Sequence, residues 1–549
     1  MFVREKTING YTYIYLVENV REGGRTKQRI IRNLGRKETV LAGKDLDRLA
    51  ASVGRFTERA MVLDAINSGD AARYEARRIG GPLLFGRLWQ QLGIDQVIAD
   101  QLAERGFEFP VERAVFTATL HRLFVSGSDR DCASWMQDYD IPGADDLSLH
   151  HFYRAMAWLG EELPKGEQKD ATPFSPRTVK DVIEEALFTR RRDLFTDLSI
   201  VFMDTTSLSF HGEGGETLGA RGYSKDHRPD LNQMILAVIV DANGRPVCTE
   251  MMPGNTADVS ILIPFTERLR ARFGITRACV VADRGMISQA TIRTLEEHGL
   301  EYVLGVRERT DARMQRVLDD KQPFTPLLVE RSRGETQLFA KEVVVDGVRY
   351  IVCRNEAQAE KDRKDRQAII AALDTQLKKG DKALVGNSAY RRYLKTTTRD
   401  AFEIDAGKIA EEARYDGIFV LCTNARISPL QAMLRYRDLL TVEMLFRVAK
   451  ATLSTRPIFH SSDAAIRGHV FFSFLALMLH KELFDRCTEA GIKPEWRQLL
   501  RDLDRLQSGK IEKDGRSIAI RTPVSGQVGP VFRAVGVALP PNIAETEAA

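Results

Sequence analysis

The chain has 549 residues, 43% of them hydrophobic and 28% charged, with a net charge of +4. That composition excludes a disordered, collagenous or disulfide-stapled protein, and at roughly 100–200 residues per domain the length suits three or four units. Six cysteines stand at 132, 248, 279, 353, 422 and 487, none in a CxxC pair. Neither a zinc site nor a disulfide framework is expected, and a reducing, cytoplasmic compartment is.

Met1–Asn9 is polar and charged, unlike a signal peptide. The longest apolar run, Val470–Leu479, is broken only by Ser473 and is about half of what a bilayer needs, so no membrane role is expected. Charge is uneven along the chain. Residues 1–37 hold nine cations against three anions, leaving the remainder slightly acidic. A basic end on a near-neutral body points to a polyanion-binding arm.

In chain order, residues 2–34 read as an antiparallel meander with turns at Asn9-Gly10 and Gly23-Gly24. Leu46–Leu159 reads as helical, with Leu84, Leu88 and Leu92 on one stripe and Ser148 as an N-cap. Pro164–Pro176 reads as a linker. A helix, Thr178–Arg190, then leads to an apolar strand, Leu198–Met203, that ends at Asp204. Strands follow at Met234–Val240 and Pro246–Met252, joined by the turn Asp241-Ala-Asn-Gly244. Next come a helix (Val259–Phe273), a strand (Ala278–Ala282) ending at Asp283, a helix (Ser288–His298) and a strand (Glu301–Leu304). Three strands followed by αβαβ is the order of an RNase H-like mixed sheet flanked by helices. Residues 305–430 break that rhythm and read as a separate β-containing insertion, and Leu439–Arg486 reads as helical.

Asp204 and Asp283 thus stand at strand ends, where α/β sheets place their chemistry. Tyr436, Glu443 and Lys450 are spaced by seven, and Arg447 lies four after Glu443, so all share one helix face. Taken singly, the aspartates read as turn-formers and the helix as a surface helix with an i, i+4 pair. Taken together, three carboxylates suit two hard divalent ions, Mg²⁺ or Mn²⁺, acting on a phosphodiester. Gly212–Gly222 lacks both phosphate-loop patterns, and His150-His151 cannot form a metal pair on a helix.

Several segments carry a family resemblance: Val201-Phe-Met-Asp-Thr-Thr206, Gly222-Tyr-Ser-Lys-Asp-His-Arg-Pro-Asp230, Pro253-Gly-Asn-Thr-Ala-Asp258, Ala282-Asp-Arg-Gly285 and Ile466-Arg-Gly-His-Val470. They resemble bacterial insertion-sequence transposases of the DDE class. The late helix resembles the Tyr-Arg-Glu-Lys signature of one branch. Tyr436, Glu443 and Lys450 match it, while Leu439 stands at the Arg position, leaving Arg447 or Arg437 to supply that contact. Asp283 and Glu443 are 160 residues apart, where one helix, one strand and a final helix need about 40–50. The excess matches the β-strand insertion domain of that branch.

The resemblance implies cut-and-paste transposition, with Asp204, Asp283 and Glu443 holding two metal ions. Tyr436, Arg447, Lys450, Arg284, Lys225 and Arg221 would contact DNA, and a homodimer would join the terminal inverted repeats to target DNA. The implied organisation is a basic meander (1–45), a helical DNA-binding region (46–163), the first part of the core (177–305), a β-rich insertion (306–430), the last core helices (431–486) and a C-terminal region (487–549). Two alternatives stay open: a metal-dependent nuclease on the same fold without strand transfer, and a non-catalytic, domesticated DNA-binding protein.

Overall fold

The computed structural model describes residues 2–22, 25–43, 46, 75–125, 127–169, 171, 175–191, 200–222, 228, 230–256, 258–274, 279–282, 289–306, 312–331, 334–377, 392–398, 401–437, 457–513 and 516–546. It divides into two compact units, one of Met1–Arg87, Met136–Ile141 and Cys487–Ala549, the other of Leu88–Trp135 and Pro142–Arg486. Among the described residues no helix is long and apolar enough to cross a membrane.

In the first unit, β1 (Phe2–Ile8), β2 (Tyr11–Glu22) and β3 (Arg25–Arg36) form an antiparallel meander. Asn9 and Gly10 have φ of 52° and 81° between the paired Ile8 and Tyr11. Positive φ at both positions defines a two-residue hairpin turn, which is why Asn-Gly reads so clearly in sequence. Arg4, Lys6, Arg21, Lys27, Arg29, Arg32 and Arg36 are all exposed on it. A second sheet has the order β18-β17-β16-β4, from β4 (Glu75–Arg78), β16 (Gln507–Lys513), β17 (Arg516–Arg521) and β18 (Ile543–Thr546). Glu75–Arg78 is therefore a strand within a stretch expected to be helical. Its partner, β16, lies more than 400 residues later, so local periodicity could not reveal it.

The second unit is built on a nine-stranded mixed sheet, order β10-β11-β12-β15-β9-β8-β5-β6-β7. Its strands are β5 (Ile200–Ser209), β6 (Gln233–Val240), β7 (Pro246–Pro253), β8 (Cys279–Ala282), β9 (Glu301–Val306), β10 (Thr325–Arg331), β11 (Gly334–Val345), β12 (Val348–Arg354) and β15 (Ile418–Thr423). Among the described residues of this sheet, only β5 with β8 and β8 with β9 are parallel. Where a self-contained insertion is expected, β15 pairs with β9 and carries β12, β11 and β10 onto the same sheet. Only β13 (Leu394–Thr398) and β14 (Ala401–Ile404) pair apart from it.

Every residue of β6 is buried, so both faces of the sheet are covered there. One core joins Ile235, Ala237 and Ile239 of β6 to Phe188, Phe265, Leu269, Phe273 and Leu295 from flanking helices. The β6–β7 turn is held by its own side chain. Asp241 Oδ1 accepts from the amides of Asn243 (2.8 Å) and Arg245 (2.9 Å), and Gly244 has φ of 72°.

A buried ion network that the sequence did not announce fastens the edge strand β7 to two helices, Val179–Arg191 and Asp258–Phe273. Arg272 reaches Glu184 at 2.8 Å, Glu185 at 2.7 Å and Glu250 at 3.0 Å. Asp181 accepts from Lys180 (2.7 Å), Arg268 (3.0 Å) and the Thr178 hydroxyl (2.9 Å). Burial pushes the Asp181 carboxyl up, but Lys180, Arg272 and Arg268 outweigh it and hold it low. Removing one partner from such a network strands the others. Arg272→Met should cost about 3–5 kcal/mol of stability, read as a lowered urea midpoint. An unchanged midpoint would show that the network contributes nothing.

Burial, joined for His121 by neighbouring Arg122 and for His469 by Arg122 and His460, pushes His121, His469 and His480 each down to about 4 from the ordinary 6.5. They stay neutral in the fold yet protonate when the chain unfolds. Their contribution is intact above pH 6.5 and is lost as pH falls toward 4. His480→Gln should therefore give a shallower acid loss of stability than the parent, and coincident curves would refute the assignment.

Candidate active site

The site is framed by the pairing of β5 with its two neighbours, β6 and β8. On one side β5 pairs with β6 over its whole length from Phe202, Asp204 facing Val238 and Ser209 facing Gln233. On the other side, among the described residues, β8 pairs in parallel with Ile200, Val201 and Phe202. Asp204 is therefore within a strand and not at its end, which corrects the expectation. Hydrogen bonding to β6 keeps the strand going to Ser209. The chain of β8 reaches Ala282 one residue before Asp283. Asp283 itself lies outside the described residues, as do Arg284, Lys225, Glu443, Arg447 and Lys450.

Tyr436 belongs to a helix of residues 429–437 that starts ten residues before the helical stretch expected from Leu439. Its start is legible in retrospect. Ser428 and Gln431 form a reciprocal cap, the Gln431 amide donating to Ser428 Oγ (3.2 Å) and the Ser428 amide to Gln431 Oε1 (3.0 Å), with Pro429 at the first turn. The helix lies against β9 and β15. Tyr436 is half-buried and stacks on Phe419 of β15 at 6.5 Å, and a Cβ on Gly305 of β9 would strike its phenol. The neighbouring Arg435 contacts Cys279 Sγ of β8 at 3.8 Å. Thus the described start of the expected signature helix sits on β9 and β15, with Arg435 reaching β8, the neighbour of β5.

The glycine-rich segment 211–222 is tied down at several points. Ala220 exchanges backbone hydrogen bonds with Gln233 at 3.0 and 3.1 Å, and the Gly254 amide donates to Leu218 (3.3 Å). A Cβ on Gly222 would meet the Gly254 carbonyl, and one on Gly254 would meet those of Gln233 and Ala220. Backbone approach this close requires glycine. Two segments read separately in sequence, one opening at Gly222 and one at Pro253, are therefore in contact. Arg221 is exposed on this segment.

Residues 457–462 are not helical, against the expectation of an unbroken helical stretch. Ile458 bridges in parallel to Phe210 just past β5, with Ile458 N donating to Ser209 O (3.0 Å) and His211 N to Ile458 O (2.9 Å). Asp463, opening the helix Asp463–Glu489, then holds the glycine-rich segment. Its carboxylate accepts from the Thr217 hydroxyl and amide, and its own amide donates to Glu216 (2.7 Å). A polar cluster of Arg122, Asp129, His460 and His469 lies in the same unit. The sequence reading singled out the His469 segment but missed the other three, because only tertiary folding joins positions more than 300 residues apart. His151 closes the Ser148 cap through its ring Nδ1 (3.1 Å) and stacks on Phe109, so the His150-His151 pair belongs to a helix start.

Two family models match the sequence. The transposase DDE domain matches residues 195–479, just over half the chain, and the N-terminal domain of IS1634 family transposases matches residues 3–67. No curated protein matches.

The Gly305–Tyr436 approach gives a direct test of the helix position. Gly305→Ala should cost about 1–3 kcal/mol by overpacking, measured in urea, and adding Tyr436→Phe should recover most of it. Equal loss in the single and double variants would place Tyr436 elsewhere.

Proposed function

The chain belongs to the DDE transposases of insertion sequences, and we propose that it cuts the ends of its element and joins them to target DNA by a cut-and-paste route. The observation that carries this reading is the position of Asp204 on β5, two residues after Phe202, which pairs with β8, the strand that leads into Asp283. The order β7-β6-β5-β8-β9, with its first two pairings antiparallel and its last two parallel, supports an RNase H-like core.

Asp204, Asp283 and Glu443 offer only carboxylate oxygens, a donor set that fits hard divalent cations such as Mg²⁺ or Mn²⁺. When bound, two such ions stabilise the attacking and leaving oxygens of a phosphodiester. The chain's own part is to fix those carboxylates and to orient the DNA. β5 does the first for Asp204 through its unbroken pairing with β6. Lys450, Arg447, Arg284, Lys225 and Arg221 do the second by meeting phosphates, and Tyr436 adds a half-buried ring that contacts the bound strand. The exposed cations of the meander and the helices up to residue 163 recognise the inverted repeats, as phosphate contacts set register and groove contacts set sequence. Two copies bring both ends together on the bacterial chromosome, in the cytoplasm.

Asp204→Asn, Asp283→Asn and Glu443→Gln should each lower nicking of end DNA by more than about 100-fold while leaving gel-shift affinity intact. Lys450→Ala should instead weaken DNA binding and lower its salt slope by about one. A carboxylate variant that nicks normally in Mg²⁺ would overturn the assignment. Nicking of inverted-repeat ends that never yields joined products would favour the nuclease alternative.

A further inference from the structure

The cluster of Arg122, Asp129, His460 and His469 lies outside the three carboxylates. Arg122 is 1% exposed, and its Nη2 donates to Asp129 Oδ1 (2.7 Å) and to His469 Nδ1 (2.9 Å). Its Nη1 donates to the Gly127 carbonyl at 3.2 Å. The other Asp129 oxygen accepts from His460 Nε2 at 3.0 Å, and the two imidazole nitrogens are 3.2 Å apart. Burial raises the Asp129 carboxyl, but Arg122 and both imidazoles outweigh it and hold it well below the carboxylate range.

The triangle of His460 Nε2, His469 Nδ1 and Asp129 Oδ2 has edges of 3.0, 3.2 and 3.5 Å, close to those of ligands around a zinc ion. Charge argues against a metal. Arg122 and Asp129 already cancel, so a dication would leave two excess charges among groups that are almost wholly buried, and desolvating them has no compensating partner. Arg122 also uses the same Nδ1 lone pair that a metal would need. Without an ion the groups already engage one another: Arg122 donates to Asp129 and His469, and His460 donates to Asp129.

What the cluster grips is the strap 457–462, fourteen residues beyond Glu443 at its start. On one side the strap is annealed to the end of β5 through Ile458, and Phe459 stacks on His211 at 5.0 Å. Through Asp463 it leads directly into the clamp on Glu216 and Thr217. On its other side, His460 is the side chain that reaches the helices Val111–Phe124 and Asp129–Trp135. We propose that His460, held by the Asp129–Arg122 ion pair, is a positioning residue for DNA cleavage, fixing the strap that joins the strand of Asp204 to the chain beyond Glu443. Arg122 orients Asp129, Asp129 orients His460, and His460 sets the strap. This inference rests on the cleavage reading above.

The test compares His460→Ala with His460→Gln in the full chain. The Gln amide nitrogen reaches about as far as Nε2 and restores the donor to Asp129. His460→Ala should lower nicking of end DNA about 10- to 100-fold, the range expected for a displacement near 1 Å. Its end affinity should stay within about twofold and its Tm within about 3 °C of the parent. His460→Gln should recover most of the nicking. No loss in the Ala variant, a parallel loss of Tm and end binding, or failure of Gln to rescue would each overturn the proposal. So would about one zinc per parent chain, measured by emission spectroscopy and lost in both variants. Asp204→Asn, run alongside, separates the two readings: normal nicking there sinks the carboxylate site and not the Ala-to-Gln comparison.

Discussion

What lies near the site depends on one strand, β5, whose pairing with β6 runs on well past Asp204. β5 is bonded to β6 from Phe202 to Ser209 and, among the described residues, to β8 from Ile200 to Phe202. A buried strand needs partners for its backbone groups, and β6 supplies them along this stretch. That pairing fixes the backbone of Asp204 and of the buried residues that follow it, Thr205, Thr206 and Ser207. The same extension of β5 supplies the anchor for Ile458 and so fixes the chain that returns from the far side of the third carboxylate.

That strand is stiff because the sheet around it is wide and its edge is fastened. β6 separates β5 from the edge strand β7, and β7 is held by Glu250 and by Thr249, whose amide and hydroxyl both donate to Glu184 (3.0 and 2.9 Å). Burying Lys180, Asp181, Glu184, Glu250, Arg268 and Arg272 together costs desolvation that only complete pairing offsets. Charged side chains locked in this way also blunt an edge that would otherwise pair with another chain. On the other side, β9 and β15 extend the sheet and carry the helix of Tyr436, tying the late helix to the strands of the early core through Gly305 and Phe419.

Features set within a few residues were legible in the sequence. The Asn9-Gly10 turn, the Asp241–Gly244 turn and the Ser148 cap all form as read, because each is a local match between backbone angle and side chain. The strands at 200–209, 233–240, 246–253 and 301–306 were visible as apolar runs between turn signals, although the far end of β5 was not. Thr205, Thr206 and Ser207 are polar, so they read as loop. They are in a buried strand because β6 supplies their partners. The same limit hid β4, whose partner comes from the other end of the chain, and the strap, whose extended form depends on Phe210.

The sequence by itself determined the chemical vocabulary: three carboxylates on recognisable segments, a basic meander, and alternating strands and helices of an α/β protein. Those are properties of residue type and short spacing, which a chain keeps before it folds. The tertiary structure alone decided that Asp204 is within a strand, that residues 325–354 and 418–423 prolong the same sheet, and that Arg122, Asp129, His460 and His469 meet. Each of these depends on hydrogen bonds between segments tens to hundreds of residues apart. No periodicity encodes such pairings, because it is burial of the whole sheet that makes one of the many possible partners the most stable.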